Sequence, residues 1–272
     1  MKNGIIIFTI FMIVIVIFML RGKEEEYVIE KGKNNDFEKL QKYESSEGKE
    51  KPKGVVSYKS FADLKQNEDE GKDYRITAKK RNSEILVMAI HGGFIELGTD
   101  QVAKKLGEKL GADTYTFEAL KPRDNWKLHI ESTLYDEPKA IEMSGESKSI
   151  LSIHGYYDEE NENVYIGGRN KVYRKIMKDS LEEEGFSVEL APENLRAMNP
   201  DNIANRNGLG EGVQLELSTA LRKSFFKNNE FFLDEEAKTT KEFSKFIRAL
   251  EQATLTYKHE HLSNENEEKS RS

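Results

Sequence analysis

Cysteine is absent from all 272 residues. That removes disulfides and any cysteine-borne lipid anchor, and it is compatible with export without arguing for it. A surplus of positive charge is missing too: 42 Lys and Arg stand against 49 Asp and Glu, for a net charge of -7. Such a balance lacks the basic footprint of a nucleic-acid-binding protein, and no helix-turn-helix, RNA-recognition or zinc-finger pattern appears. No nucleic-acid partner is expected. Repetition at a solenoid period is also absent, which leaves a single core as the simplest plan for a chain of this length.

Long apolar runs are scarce, and the longest lies near the amino terminus. Residues 5–20 carry no charge, with Lys2 before them and Arg21-Gly22-Lys23 and Glu24-Glu25-Glu26 after. The length falls between a signal-peptide core and a full membrane span. Because no small-x-small cleavage site follows, a retained signal anchor is favoured over a cleaved peptide. Residues 23–54 hold too few apolar side chains to offset the entropy of ordering, and read as a flexible polar stalk. From Ser263 onward the chain is equally polar.

The informative run is Ile85-Leu86-Val87-Met88-Ala89-Ile90-His91-Gly92-Gly93-Phe94-Ile95-Glu96. Its apolar, partly β-branched part predicts a strand buried on both faces, and such strands deliver their ends to the ligand-binding crevice of an open α/β sheet. Gly92 and Gly93 permit a sharp turn, and Thr99 or Asp100 is placed to cap a helix through Val102, Leu106 and Leu110. His91 and Glu96 then face one crevice. Ser149-Ile150-Leu151-Ser152-Ile153-His154-Gly155 repeats the design. Two imidazoles and one carboxylate form the usual protein ligand set of a catalytic zinc, which keeps a fourth position open. In Val213-Gln214-Leu215-Glu216-Leu217-Ser218 the alternation puts Glu216 on the polar face of a strand, and general base is its natural role beside a metal-activated water. His129 alternates with Leu128 and Ile130 as on a strand, while His259 and His261 lie in a charged carboxyl-terminal stretch.

These motifs, with Asp136-Glu137-Pro138, Gly167-Gly168 and Asp201-Asn202-Ile203-Ala204-Asn205-Arg206 in the same order, resemble the bacteriophage poly-γ-glutamate hydrolase family, a group of compact zinc peptidases related in fold to zinc carboxypeptidases. The resemblance covers roughly residues 57–250. It implies one zinc ion held by His91, Glu96 and His154, Glu216 as the catalytic glutamate, and hydrolysis of γ-glutamyl amide bonds in extracellular poly-γ-glutamate. Arg206 is the candidate clamp for a substrate carboxylate, since a guanidinium grips one bidentately. Asn205 and His129 join it as candidate substrate contacts, although the wider carboxypeptidase pattern places its Asn-Arg pair before the last His and not after it. Arg169, Lys127 and Arg123 are further basic residues near the motifs. A γ-glutamyl amidase acting on cell-wall peptides and a non-catalytic polymer-binding module remain alternatives.

The expected division is a transmembrane signal anchor or signal peptide over 1–22, a stalk over 23–54, a catalytic domain over 55–260 and a disordered tail over 261–272. A monomer is expected, tied to the cell membrane through its amino-terminal segment with the catalytic part outside, or secreted if that segment is cleaved. Strands are predicted near 73–79, 85–90, 113–117, 127–133, 149–153, 186–190 and 213–217. Helices are predicted near 60–66, 99–110, 137–144, 169–184, 218–226 and 239–256. The alternation gives an α/β fold, a mixed and mostly parallel sheet with helices on both faces in three α/β/α layers.

Overall fold

A computed structural model describes residues 54–121, 123–229, 231 and 238–262. Among them, seven strands form one sheet: β1 (Tyr74–Lys79), β2 (Ile85–Gly93), β3 (Asp113–Ala119), β4 (Ser149–Tyr156), β5 (Asn163–Gly167), β6 (Ser187–Leu190) and β7 (Val213–Ser218), in the order β1-β3-β2-β4-β7-β5-β6. Pairing is parallel except for β1 with β3 and β5 with β7. The helices are α1 (Phe61–Asn67), α2 (Thr99–Leu110), α3 (Pro138–Glu146), α4 (Lys171–Glu183), α5 (Thr219–Ser224) and α6 (Lys241–Tyr257).

Strand β2 shows why the predicted class holds. Every residue from Ile85 to Gly93 is buried, so no polar face is needed. Ile85, Val87 and Ala89 enter one apolar layer with Val102 and Leu106 of α2, Met177 and Leu181 of α4, and Phe246 and Leu250 of α6. Leu86, Met88 and Ile90 enter the opposite layer with Phe61 and Leu64 of α1 and Ala140 and Met143 of α3. Helices thus cover both faces of a mixed, mostly parallel sheet.

Several local expectations are corrected. No strand forms over 127–133: Asn125–Leu128 is a 3-10 turn, and the segment beyond it crosses the second layer, burying Leu128 and Ile130 without joining the ladder. Strand β5 is gained instead; its five residues sit between an acidic stretch and a Gly-Gly pair, too short for periodicity to show. Helix α2 begins after Gly98, which makes no side-chain cap; Asp100 instead accepts from the Gly93 N–H at 3.1 Å. This ties the helix to the loop after β2.

The membrane expectation is also corrected. Among the described residues no helix is long and apolar enough to cross a membrane. The expected anchor at 1–22, the stalk except Gly54, and the tail from residue 263 lie outside the described residues.

Candidate functional site

The carboxyl ends of β2, β4 and β7 meet at one cavity of about 670 Å³, lined by His91, Glu96, His129, His154, Gln214 and Glu216 together with residues of the 126–133 and 193–202 segments. Strand β2 carries His91 past a register shift between Ala89 and Gly92 that bends the strand end. Gly93 then turns at φ 64, where a Cβ would fall 2.2 Å from the Ala119 carbonyl oxygen. Only glycine permits that approach, and it returns Glu96 to face His91. Buried Arg222 ties the loop after β2 to the ends of β4 and β7: it donates to Leu97 O at 2.6 Å, Leu217 O at 3.1 Å and Tyr156 O at 3.3 Å.

The geometry converges on Glu96. His91 Nδ1 lies 3.0 Å from Oε1, His154 Nδ1 lies 3.5 Å from Oε2, and His129 Nε2 lies 3.7 Å from Oε1. The Gly155 N–H donates to Oε2 at 2.9 Å. Although burial opposes it, the three imidazoles hold the Glu96 carboxyl well below the usual range. Burial first, and then the neighbouring His129, push His91 down to about 4. His154 is raised: its burial is outweighed by the carboxylates of Glu96 and Glu216.

One detail tests whether this donor set suits a cation. His91 Nε2 lies 2.8 Å from Ile130 O and Nδ1 lies 3.0 Å from Glu96 Oε1, so a neutral ring with a single proton stands between two acceptors. Whichever nitrogen holds that proton, the other turns a lone pair toward an oxygen; with the proton on Nε2, the bare nitrogen is Nδ1, aimed at the carboxylate. Two facing lone pairs repel unless a cation or a proton lies between them. Zinc bonds of about 2.0–2.2 Å at tetrahedral angles separate donors by about 3.3 Å, close to the 3.0 and 3.5 Å found for the two His-Glu96 pairs. His154 Nε2 is likewise engaged, 3.0 Å from Ser152 Oγ. Outer contacts of this kind orient imidazole ligands.

By distance alone His91, Glu96 and His129 form the tighter donor cluster. His129 differs in position: its ring stacks on His91 at 3.8 Å and its side chain is 21% exposed, whereas those of His91 and His154 are 2% and 3% exposed. His129 thus forms part of the cavity wall, and the two deeper imidazoles share Glu96.

Glu216 is buried on β7, and Gln214 Nε2 donates to its Oε1 at 2.7 Å. Gln214 Oε1 in turn accepts from Asn202 Nδ2 at 3.1 Å. Burial, aided by the charge of Glu96, pushes the Glu216 carboxyl up to about 7. A carboxyl poised there can exchange a proton near neutral pH.

The remaining expected contacts are placed elsewhere. Arg206 is outside the cavity lining; its Nη2 donates to Tyr135 O at 2.7 Å and Ser132 O at 3.3 Å. Asn205 is buried and spends its amide on Ala197 O and Asn199 O, both at 2.8 Å. Both residues hold loops around the cavity. Sequence patterning gave no role to Ser152, Asn202, Gln214, Arg196 or Arg222. Apart from the polar position of Gln214 beside Glu216, their roles arise from contacts between distant segments.

The poly-γ-glutamate hydrolase family matches residues 58–249 of this chain. The YndL protein of Bacillus subtilis (strain 168) is 42% identical over 171 residues, which span 62% of this chain and 66% of YndL. YmaC of the same strain is 37% identical over 190 residues, 65% of this chain and 79% of that protein. The structure of a bacteriophage poly-γ-glutamate hydrolase superposes with a TM-score of 0.71 at 35% identity, covering 75% of this chain and 98% of the phage protein. A zinc-free structure of YndL superposes with a TM-score of 0.67 at 34% identity, covering 73% and 96% of the two chains. By sequence and by fold, the chain belongs to the poly-γ-glutamate hydrolase family.

Proposed function

We propose that this chain is a zinc-dependent hydrolase of γ-glutamyl amide bonds in extracellular poly-γ-glutamate, with one zinc ion on His91, Glu96 and His154 and with Glu216 as general base. The observation that carries this reading is the facing of His91 Nδ1 and Glu96 Oε1 across 3.0 Å while His91 Nε2 faces a second acceptor, Ile130 O, at 2.8 Å. Family membership and the zinc-free form of YndL support the substrate class and the metal.

When bound, zinc would polarise the scissile carbonyl and acidify a water. Glu216 takes that proton on Oε2, since Gln214 engages Oε1, and returns it to the leaving amine. The Asn202–Gln214–Glu216 chain fixes the carboxylate's rotamer, so little reorganisation is needed at the moment of transfer. His129, on the cavity wall, holds substrate over the site.

The test joins elemental analysis to viscometry of a poly-γ-glutamate solution, with peptidoglycan turbidity in parallel. Near-stoichiometric zinc and falling viscosity are expected. Zinc at background level overturns the metal assignment. Clearing of peptidoglycan with the polymer intact overturns the substrate and favours a cell-wall amidase, while zinc binding without cleavage of either makes the chain a binding module.

A further inference from the structure

Each unit of a γ-linked glutamate chain carries a free α-carboxylate, yet the cavity is lined by four carboxylates of its own: Glu96, Glu131, Glu193 and Glu216. Such a wall repels a polyanion unless a cation answers it. Arg196 is the one Lys or Arg among the described lining residues.

Its placement is tightly determined. The Arg196 carbonyl accepts from the Gly168 N–H at 2.8 Å, and a Cβ on Gly167 would fall 2.5 Å from the same oxygen, so the end of β5 lies flush against this residue. Gly167 is the Cα partner of Gln214, whose amide holds Glu216. Ala197 adopts φ 52, a left-handed conformation that an alanine keeps only where its surroundings impose it. Asn205 supplies that constraint through Ala197 O and Asn199 O. The Arg196 Nε donates to Ala191 O at 3.2 Å, and Nη1 and Nη2 have no protein partner among the described residues. They are the paired donors that a carboxylate accepts side by side.

We propose that Arg196 is the specificity-determining residue of the site, binding the α-carboxylate of a glutamyl unit beside the scissile γ-amide. The inference rests on the proposed function and moves the clamp from Arg206, which lies outside the cavity lining with its Nη2 donating to two backbone carbonyls, to the 193–199 wall.

The experiment compares γ-linked glutamate oligomers bearing α-carboxylates with the same oligomers carrying neutral α-amides, using the full chain, Arg196→Met and Arg196→Lys. The wild-type ratio of kcat/KM, carboxylate over amide, should fall about tenfold to a hundredfold in Arg196→Met, as expected for loss of a charged hydrogen-bonded pair. Arg196→Lys should fall between the two, and zinc content should be kept. Binding of the carboxylate oligomer, measured by calorimetry in a Glu216→Gln background, should weaken by a similar factor on adding Arg196→Met. An unchanged ratio overturns the inference even where the enzyme is fully active. Where the wild type cleaves neither oligomer, the proposed function fails, and calorimetry decides the inference alone: equal affinity in the two backgrounds, including no binding in either, overturns it.

Discussion

His154 and Glu216 are Cα partners on the adjacent parallel strands β4 and β7. Registered partners place their side chains on the same face of a sheet, with neighbouring strands about 4.8 Å apart. A proposed metal ligand and the proposed base are therefore spaced by a hydrogen-bonded backbone ladder.

Glu216→Gln keeps the size of the side chain and removes its capacity to take a proton. The variant should retain zinc and lose kcat by roughly two orders of magnitude or more. Elemental analysis and steady-state rates on poly-γ-glutamate check both halves; a near-normal kcat would make Glu216 structural.

His91→Ala and His154→Ala should each reduce bound zinc sharply. His129→Ala should leave zinc largely in place and raise KM for the polymer, because His129 belongs to the cavity wall. Elemental analysis of the three proteins decides between the His91, Glu96, His154 ligand set and the set containing His129.

Arg206→Ala is expected to act on stability. Removing a charged donor from Tyr135 O and Ser132 O should cost about 2 kcal/mol and lower Tm by roughly 4–8 °C for a domain of this size. Its carboxylate-over-amide kcat/KM ratio should stay near wild type. A collapse of that ratio with Tm preserved would return the clamp to Arg206.

The metal-free protein should show a definite pH signature. Glu216 is held at about 7 when folded, against an ordinary value of 4.5, so its contribution to stability is fully present below pH 4.5 and is lost as pH rises through 7. His91 is held at about 4 against 6.5, so its contribution is lost as pH falls through that window. Thermal melts of chelated wild type and chelated Glu216→Gln, from pH 4.5 to 8, should therefore diverge. The wild type loses roughly 2–3 kcal/mol relative to the variant as pH rises. Parallel curves would contradict the buried, proton-holding state of Glu216.

Much of the site was legible because its chemistry is carried by local pattern. A continuous apolar run closed by His and Gly specifies a buried strand ending in a tight turn, and this happens twice. In Val213–Ser218 the alternation of apolar and polar residues isolates Glu216. The expectation for His129 failed on the strand itself: apolar alternation around it satisfied a packing layer and not a ladder. The Asn205-Arg206 reading saw the right residue types but not that Asn205 Nδ2 and Arg206 Nη2 turn to loop carbonyls and that Arg206 lies outside the cavity lining.

The sequence by itself determined the sheet's central strands, both sheet-covering layers and the residues on which the metal and the base are proposed, because buried-strand periodicity and glycine turns are fixed by backbone geometry over a few residues. Only the tertiary structure decided that Ile130 O faces His91 Nε2, that Arg222 ties the loop after β2 to the ends of β4 and β7 and that Arg196 lines the cavity. Each depends on contacts between segments tens of residues apart, and a hydrogen bond to a main-chain carbonyl leaves no mark on the identity of the residue that supplies it.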